Sequence, residues 1–200
     1  MKKIDCTGKY LPFEGVSYIC MAKAQSVLAD VYERLGQTSF KHYYSPLPLN
    51  SYHMTLMNLE VKRDSTPTNE WLINRRITYT NSFLFLLQLN LPVQGIEVEI
   101  TDLELTDRVA YLSVRVVNDN VSKLMSEFRE KTMEAFKIND RALKFHITLA
   151  YSYNEVNLVK MHSELESLRI FVREKRVTLN IPKLYFFENM TRFVDFEQEF

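Results

Sequence analysis

The sequence predicts an α+β fold built from two similar halves within one domain spanning residues 1–200. Three observations point there. Strand-like and helix-like periods alternate along the chain as strand, helix, strand, helix, twice over. Hairpins rather than uniform crossovers join several of the strands, which argues for antiparallel or mixed pairing. A short motif, with the strand and helix before it, recurs at a constant offset.

Val16 to Met21 is rich in β-branched and aromatic residues and follows the turn-like Pro12-Phe13-Glu14-Gly15, so it reads as a core strand. From Gln25 to about Phe40, Val27, Leu28, Val31, Tyr32 and Leu35 recur at three and four residues, the helical period. Pro46 and Pro48 mark a loop, and Tyr52 to Val61 reads as a second strand. A polar segment then leads to a helix start at Pro67-Thr68-Asn69. Trp71 to Leu91 reads as helix, although Phe83 to Leu89 also fits a buried strand.

Ile96 to Leu105 and Val109 to Val117 alternate as strands and should form a hairpin across Asp107-Arg108. Asn118 to Lys137 carries the clearest helical period, with Asn118 or Asp119 as caps. Leu143 to Tyr151 reads as a strand and Val156 to Val172 as an amphipathic helix. Val177 to Phe187 and Phe193 to Phe196 read as a closing pair around Glu188-Asn189-Met190.

Composition narrows the function classes. Twenty-five Lys+Arg balance twenty-five Asp+Glu, so a protein tracking long duplex nucleic acid by a basic stripe is not expected. The most apolar run, Phe83 to Leu91, is broken by Gln88 and Asn90 and falls short of a bilayer span. No export signal follows Met1-Lys2-Lys3, and Cys6 and Cys20 fit no metal spacing and allow at most one bridge. These features predict a soluble cytoplasmic monomer. The eight Met and thirteen Phe read as core filling.

The repeated motif carries the chemistry. Tyr52-His53-Met54-Thr55-Leu56 and Phe145-His146-Ile147-Thr148-Leu149 are each an aromatic, His, apolar, Thr, Leu run inside a predicted strand. The histidines, 53 and 146, stand 93 residues apart, and the same offset sets Tyr18 on Tyr111 and Gln25 on Asn118. On a strand, His53 shares a face with Thr55 and His146 with Thr148. If the halves pack about a pseudo-twofold axis, one cleft receives two imidazoles and two hydroxyls. One neutral imidazole can then take a proton from water or a ribose hydroxyl while the other, as imidazolium, protonates the leaving oxygen of a phosphodiester. The threonines would hold the nonbridging oxygens, no metal or other cofactor is needed, and a pH profile with two ionisations near neutrality is expected.

His53-Met54-Thr55-Leu56 and His146-Ile147-Thr148-Leu149 resemble the paired His-x-Thr/Ser-x motifs of the two-histidine (2H) phosphoesterases, which include cyclic phosphodiesterases and 2′-5′ RNA ligase-like enzymes. The resemblance implies a bilobal fold, two pseudo-symmetric sheets flanking a central cleft with helices outside. It also implies metal-independent catalysis with His53 and His146 as acid and base and Thr55 and Thr148 on the phosphate. The substrate implied is a nucleotide or short oligonucleotide phosphodiester: a 2′,3′-cyclic phosphate, a 2′-5′ linkage in RNA or a cyclic nucleotide signal. Which histidine starts as base stays open.

Tyr18, Tyr111, Tyr44 and Lys144 are candidates for lining the cleft, with Lys41, His42, Tyr43 and Arg141 as a basic, aromatic rim. Core packing competes for the two strand tyrosines, and ordinary solvated loops for the rim. A zinc site is disfavoured: neither motif offers an adjacent ligand on its own face, His42 and His162 would have to be recruited, and Glu60 alternates away from His53. A noncatalytic module binding a nucleotide or RNA end in the same cleft is the alternative function.

Overall fold

Nearly every side chain of Gly15–Met21 (β1) is buried, as a continuous apolar strand requires when it is covered on both faces. The computed structural model describes residues 2–139 and 144–196. After β1 come helix Ser26–Gly36 (α1), the short strand Tyr44–Pro46 (β2), strand His53–Val61 (β3), helix Thr68–Leu87 (α2) and strand Ile96–Leu105 (β4). The second run consists of strand Val109–Val116 (β5), helix Asp119–Phe136 (α3), strand His146–Ser152 (β6) and helix Leu158–Val172 (α4). Strands Arg176–Leu179 (β7), Lys183–Asn189 (β8) and Arg192–Asp195 (β9) complete it.

The helices form where their stripes predict. Leu28, Val31 and Leu35 of α1 are buried, as are Val121, Met125, Phe128 and Thr132 of α3 and Met161, Leu165, Leu168 and Val172 of α4. Asn118 caps α3 by accepting from the backbone N–H groups of Asn120 and Val121 at 3.0 and 3.2 Å. Gln25, its counterpart at the offset of 93, does not cap α1. Its side chain instead accepts from Thr178 N–H at 2.9 Å and donates to Thr178 O at 2.7 Å, tying α1 to β7. The helical reading of the third segment holds to Leu87.

All strand pairs are antiparallel, in the order β7-β4-β5-β6-β3-β1-β8-β9 with β2 added to β6. The two predicted halves are β7-β4-β5-β6 and β3-β1-β8-β9. They join through Met54 opposite Ile147, which makes them a single curled sheet, and Ala22 just after β1 adds an isolated bridge to Leu179 of β7. Each half borrows a strand: β4 follows the first motif but pairs with β5, and β8 follows the second motif but pairs with β1. Neither half is therefore made from one contiguous stretch of chain.

Two predicted boundaries change. The single strand read from Val177 to Phe187 is two strands, β7 and β8, on opposite halves of the sheet. Pro182 lies at the break, where its missing N–H ends the ladder. The loop read at Pro46 contains β2, a three-residue strand on β6.

Candidate functional site

Both motif strands begin at their histidine, and both rings are oriented in the same way. His53 Nδ1 lies 2.7 Å from the carbonyl of Ser51, and His146 Nδ1 lies 3.1 Å from that of Lys144. A carbonyl only accepts, so in the neutral ring Nδ1 carries the hydrogen and Nε2 keeps its lone pair. Each ring is thus set by the residue two places before it, and those residues, 51 and 144, keep the offset of 93.

Both strands then bulge at the leucine of the motif. In β3, Thr55 faces Ile19 of β1 and Met57 faces Tyr18, leaving Leu56 without an opposite number. In β6, Thr148 faces Tyr111 of β5 and Ala150 faces Ala110, leaving Leu149 in the same situation. An extra residue reverses the in-out parity beyond it. The cavity face therefore runs His53, Thr55, Asn58 on one strand and His146, Thr148, Tyr151 on the other. Asn58 and Tyr151 were missed by regular alternation. The constant offset relates them to each other, but nothing in the sequence marks the bulge.

These six side chains line one cavity of about 350 Å³ together with Lys3, Arg129, Lys144 and Ser17. Among the described residues no Asp or Glu belongs to its lining. Arg129 reaches in from α3 and donates through Nη1 to the carbonyl of Leu56, clamping the β3 bulge. Ser17 Oγ donates to Asn58 Oδ1 at 3.1 Å, which leaves the amide Nδ2 donors for the cavity.

One wall is aromatic. Phe13 and Phe187 stack with centroids 5.7 Å apart and planes at 17°, and Phe193 lies 6.1 Å from Phe187 and 4.4 Å from the His53 ring. Met190 lines the same cavity. Phe187 and Met190 belong to the core as expected, with Phe13 and Phe193 packed against it, and all four also line the cavity, three of them carried there by the β8-β9 hairpin.

Burial sets the proton affinity of the first ring. His53 keeps a small opening to the cavity, yet burial pushes its imidazolium pKa down to about 4. The hydrogen bond to Ser51 opposes the shift, while charge on His146 and Lys3 adds to it.

The remaining expected residues divide. Lys144 lines the cavity. Tyr111 does not belong to the cavity lining but stands beside the second motif, its ring 5.1 Å from the His146 imidazole. Tyr18 does not line the cleft: it is buried on the opposite face, its Oη 2.8 Å from Ser82 Oγ and its ring edge-on to Phe128 at 4.9 Å. Because of the bulge, Ile19 takes the place in β1 that Tyr111 takes in β5. Tyr44 is also a core residue, stacked 4.5 Å from Phe40 with Oη donating to Thr106 O at 2.6 Å. Lys41 and His42 lie in a 3₁₀ turn whose carbonyls accept from Tyr153 and Asn154, and Tyr43 packs against the core. None of these three belongs to the cavity lining. Arg141 lies outside the described residues.

Glu60 is occupied by Arg75, 2.6 Å away, and by the Tyr79 hydroxyl. Among the described residues no three His, Cys, Asp or Glu side chains gather as a metal site, and no helix is long and apolar enough to cross a membrane. Cys6 is exposed and Cys20 buried, both as free thiols.

A curled antiparallel sheet presenting two matched His-x-Thr segments to one cavity defines a class. Residues 3–74, which include the first motif, match the family described as "2H-phosphodiest: Domain of unknown function (DUF1868)". The conserved protein of unknown function ATU0111 from Agrobacterium tumefaciens shares the fold with a TM-score of 0.71 at 16% identity, over 97% of this chain and 89% of that one. E. coli LigT complexed with NADP+ gives a TM-score of 0.54 at 15% identity, over 92% and 95%. The first part of the chain thus matches a 2H-phosphodiesterase family model, and the chain as a whole shares its fold with these two proteins. Uncharacterized protein 127L of Invertebrate iridescent virus 6 is 28% identical to it over 229 residues, 97% of this chain and 94% of the viral protein.

Proposed function

We propose that this protein is a phosphodiesterase acting on a nucleotide or short oligonucleotide, with His53 as general base, His146 as general acid and Thr55 and Thr148 as donors to the phosphate oxygens. The observation that carries the reading is the one cavity into which both His-x-Thr pairs converge, each ring held by the carbonyl two residues before it.

Burial keeps His53 neutral at physiological pH, so its Nε2 can take a proton from the attacking water or ribose hydroxyl. As that oxygen bonds to phosphorus, the bond from phosphorus to the leaving oxygen breaks, and His146 Nε2–H supplies the proton the leaving oxygen needs. The threonine hydroxyls and Lys144 meet the negative charge that builds on the nonbridging oxygens. Two neutral rings would leave the leaving group without an acid. With His53 held neutral by burial, the role of acid falls to His146, whose ring lies on the exposed side of the cavity. The expectation of two ionisations near neutrality is accordingly revised here, with one limb moved well to the acid side.

The aromatic wall of Phe13, Phe187 and Phe193 suits a nucleobase. E. coli LigT, which shares the fold, has been crystallised with ATP and with NADP+, which supports a nucleotide ligand in this cleft. The test is turnover of 2′,3′-cyclic nucleotides, 2′-5′ oligoadenylate, RNA and cyclic dinucleotides with chelator present, for the wild type and the two His→Ala variants. Product release by the wild type alone is expected. Activity surviving in both variants would reject the assignment, and a nucleotide that binds but is returned intact would make the cleft a binding module.

A further inference from the structure

Lys3 has no counterpart in the repeat and no role in the proton transfer, yet it lines the same cavity as the two histidines. The segment that brings it there is built. Leu11 N–H donates to Lys3 O at 3.0 Å, Ile4 pairs with Tyr10, and Ile4 is buried. The turn between them is held by Asp5, whose Oδ1 accepts from the Thr7 N–H, the Thr7 hydroxyl and the Lys9 N–H. Tyr10 Oη donates to Ser45 O at 2.6 Å, and Ser45 Oγ to Gly8 O at 2.8 Å, so residues 3–11 are clasped onto β2.

At the end of this clasp the Lys3 ammonium sits half-buried. It lies 3.1 Å from Tyr151 Oη, 4.8 Å over the Tyr151 ring and 5.0 Å over the Phe13 ring. No carboxylate among the described residues pairs with it. An ammonium held by one hydroxyl and two ring faces is oriented but keeps donors for an anion.

Tyr151 is the next residue on the cavity face after Thr148, past the bulge at Leu149. Two strand rises of about 3.3 Å set its Cβ about 7 Å beyond that of Thr148, and the phenol extends the reach. Lys3 is therefore displaced along the cleft from the place where the two His-x-Thr pairs would hold the reacting phosphorus. The charges agree. A phosphodiester carries one negative charge, whereas Lys3 and Lys144 both line a cavity to which no Asp or Glu among the described residues contributes.

We propose that Lys3, held by Tyr151 and Phe13, forms a second anion subsite that binds a further phosphate of the substrate, one step along the cleft from the histidine pair. This rests on the reading of the cleft as a phosphodiester site, and it narrows the substrate class. The favoured substrate is a nucleotide or short oligonucleotide that carries a second phosphate, terminal or internal, besides the one attacked.

The full chain, with any purification tag removed, is titrated with adenosine 2′- and 3′-monophosphate and with the corresponding 2′,5′- and 3′,5′-bisphosphates. One charge-assisted contact corresponds to about 10- to 100-fold in affinity. The wild type is expected to bind one bisphosphate at least about 10-fold more tightly than its monophosphate. Lys3→Met, which keeps the apolar stem, should lose that advantage with monophosphate affinity essentially unchanged, and Lys3→Arg should restore most of it. Equal weakening of both ligands by Lys3→Met would overturn the second subsite and place Lys3 at the reacting phosphate or in the fold. So would a wild type that gains nothing from the second phosphate. A wild type that binds no monophosphate at all removes the cleft reading itself, and with it this proposal.

Discussion

The two halves of the molecule are matched in backbone and unmatched in surroundings. Each contributes a histidine at the first position of its strand, a hydrogen bond from Nδ1 to the carbonyl two residues back, a threonine, and a bulge at the next leucine. Around His53, however, stands Phe193 at 4.4 Å, whereas His146 lies beside Tyr111 at the mouth formed with Lys144. Duplication accounts for the equal aim of the rings. Phe193 of the β8-β9 hairpin packs on the His53 side, and burial there lowers that histidine's proton affinity. In the proposed mechanism the division of labour between base and acid therefore follows what packs on the repeat.

Replacing either histidine by alanine should produce the largest effect, a loss of about 100- to 10,000-fold in kcat. The two losses should differ in kind. A substrate with a good leaving group, such as a nitrophenyl phosphodiester, needs no acid. It should recover much of the activity of His146→Ala and little of that of His53→Ala, and the opposite pattern would invert the roles. Thr55→Val and Thr148→Val come next, each lowering kcat by about 100-fold, as loss of one donor to a developing oxyanion does. Matched halves require the two values to agree within a few fold.

Acid sensitivity separates the halves on a different axis. His53 binds its proton less readily when folded than when unfolded, where its pKa is near the ordinary 6.5. Its contribution to stability is therefore complete above about pH 6.5 and is lost as pH falls from there towards 4. The full difference is on the order of 3 kcal/mol. Denaturant titrations at pH 7 and pH 4.5 should show a smaller acid-induced loss in His53→Gln than in the wild type. In the wild type, the acid limb of kcat/KM should fall near pH 4, far below the usual histidine range.

Arg129→Met frees the carbonyl at the β3 bulge while leaving its β6 counterpart untouched. It should cost about 1 to 3 kcal/mol of stability and roughly 10-fold in kcat. Amide exchange should quicken around Leu56 and not around Leu149. The smallest change is expected for Phe193→Leu. Opening the His53 side should raise that histidine's pKa part of the way to 6.5, with a few-fold effect on turnover.

Much of this architecture was legible because periodicity reports which faces are buried, and the helix starts at Asn118 and after Pro67 carry their own chemistry. The pairing of His53 with His146 was legible because the repeat copies strand, helix and flanks alike. What stayed hidden depends on contacts between distant segments. A bulge leaves no mark in composition, so Asn58 and Tyr151 were absent from the expected site and Tyr18 was aligned one residue out of step with Tyr111. Pro182 was a visible sign that Val177 to Phe187 is two strands, but not that the second would cross to the other half. Phe13, Phe187 and Phe193 look like core residues in sequence. Only the exchange of β8 into the first half brings the last two against His53 and leaves them facing the cavity.

The most direct measurement is a ¹⁵N NMR titration of the imidazoles in the free chain and with a nucleotide monophosphate. In the free chain both rings should carry hydrogen on Nδ1 when neutral, His53 should stay neutral to below pH 5, and the added phosphate should shift both Nε2 resonances at one common affinity. A phosphate that moves only one ring, or a His53 that titrates near 6.5 with its hydrogen on Nε2, would contradict the account.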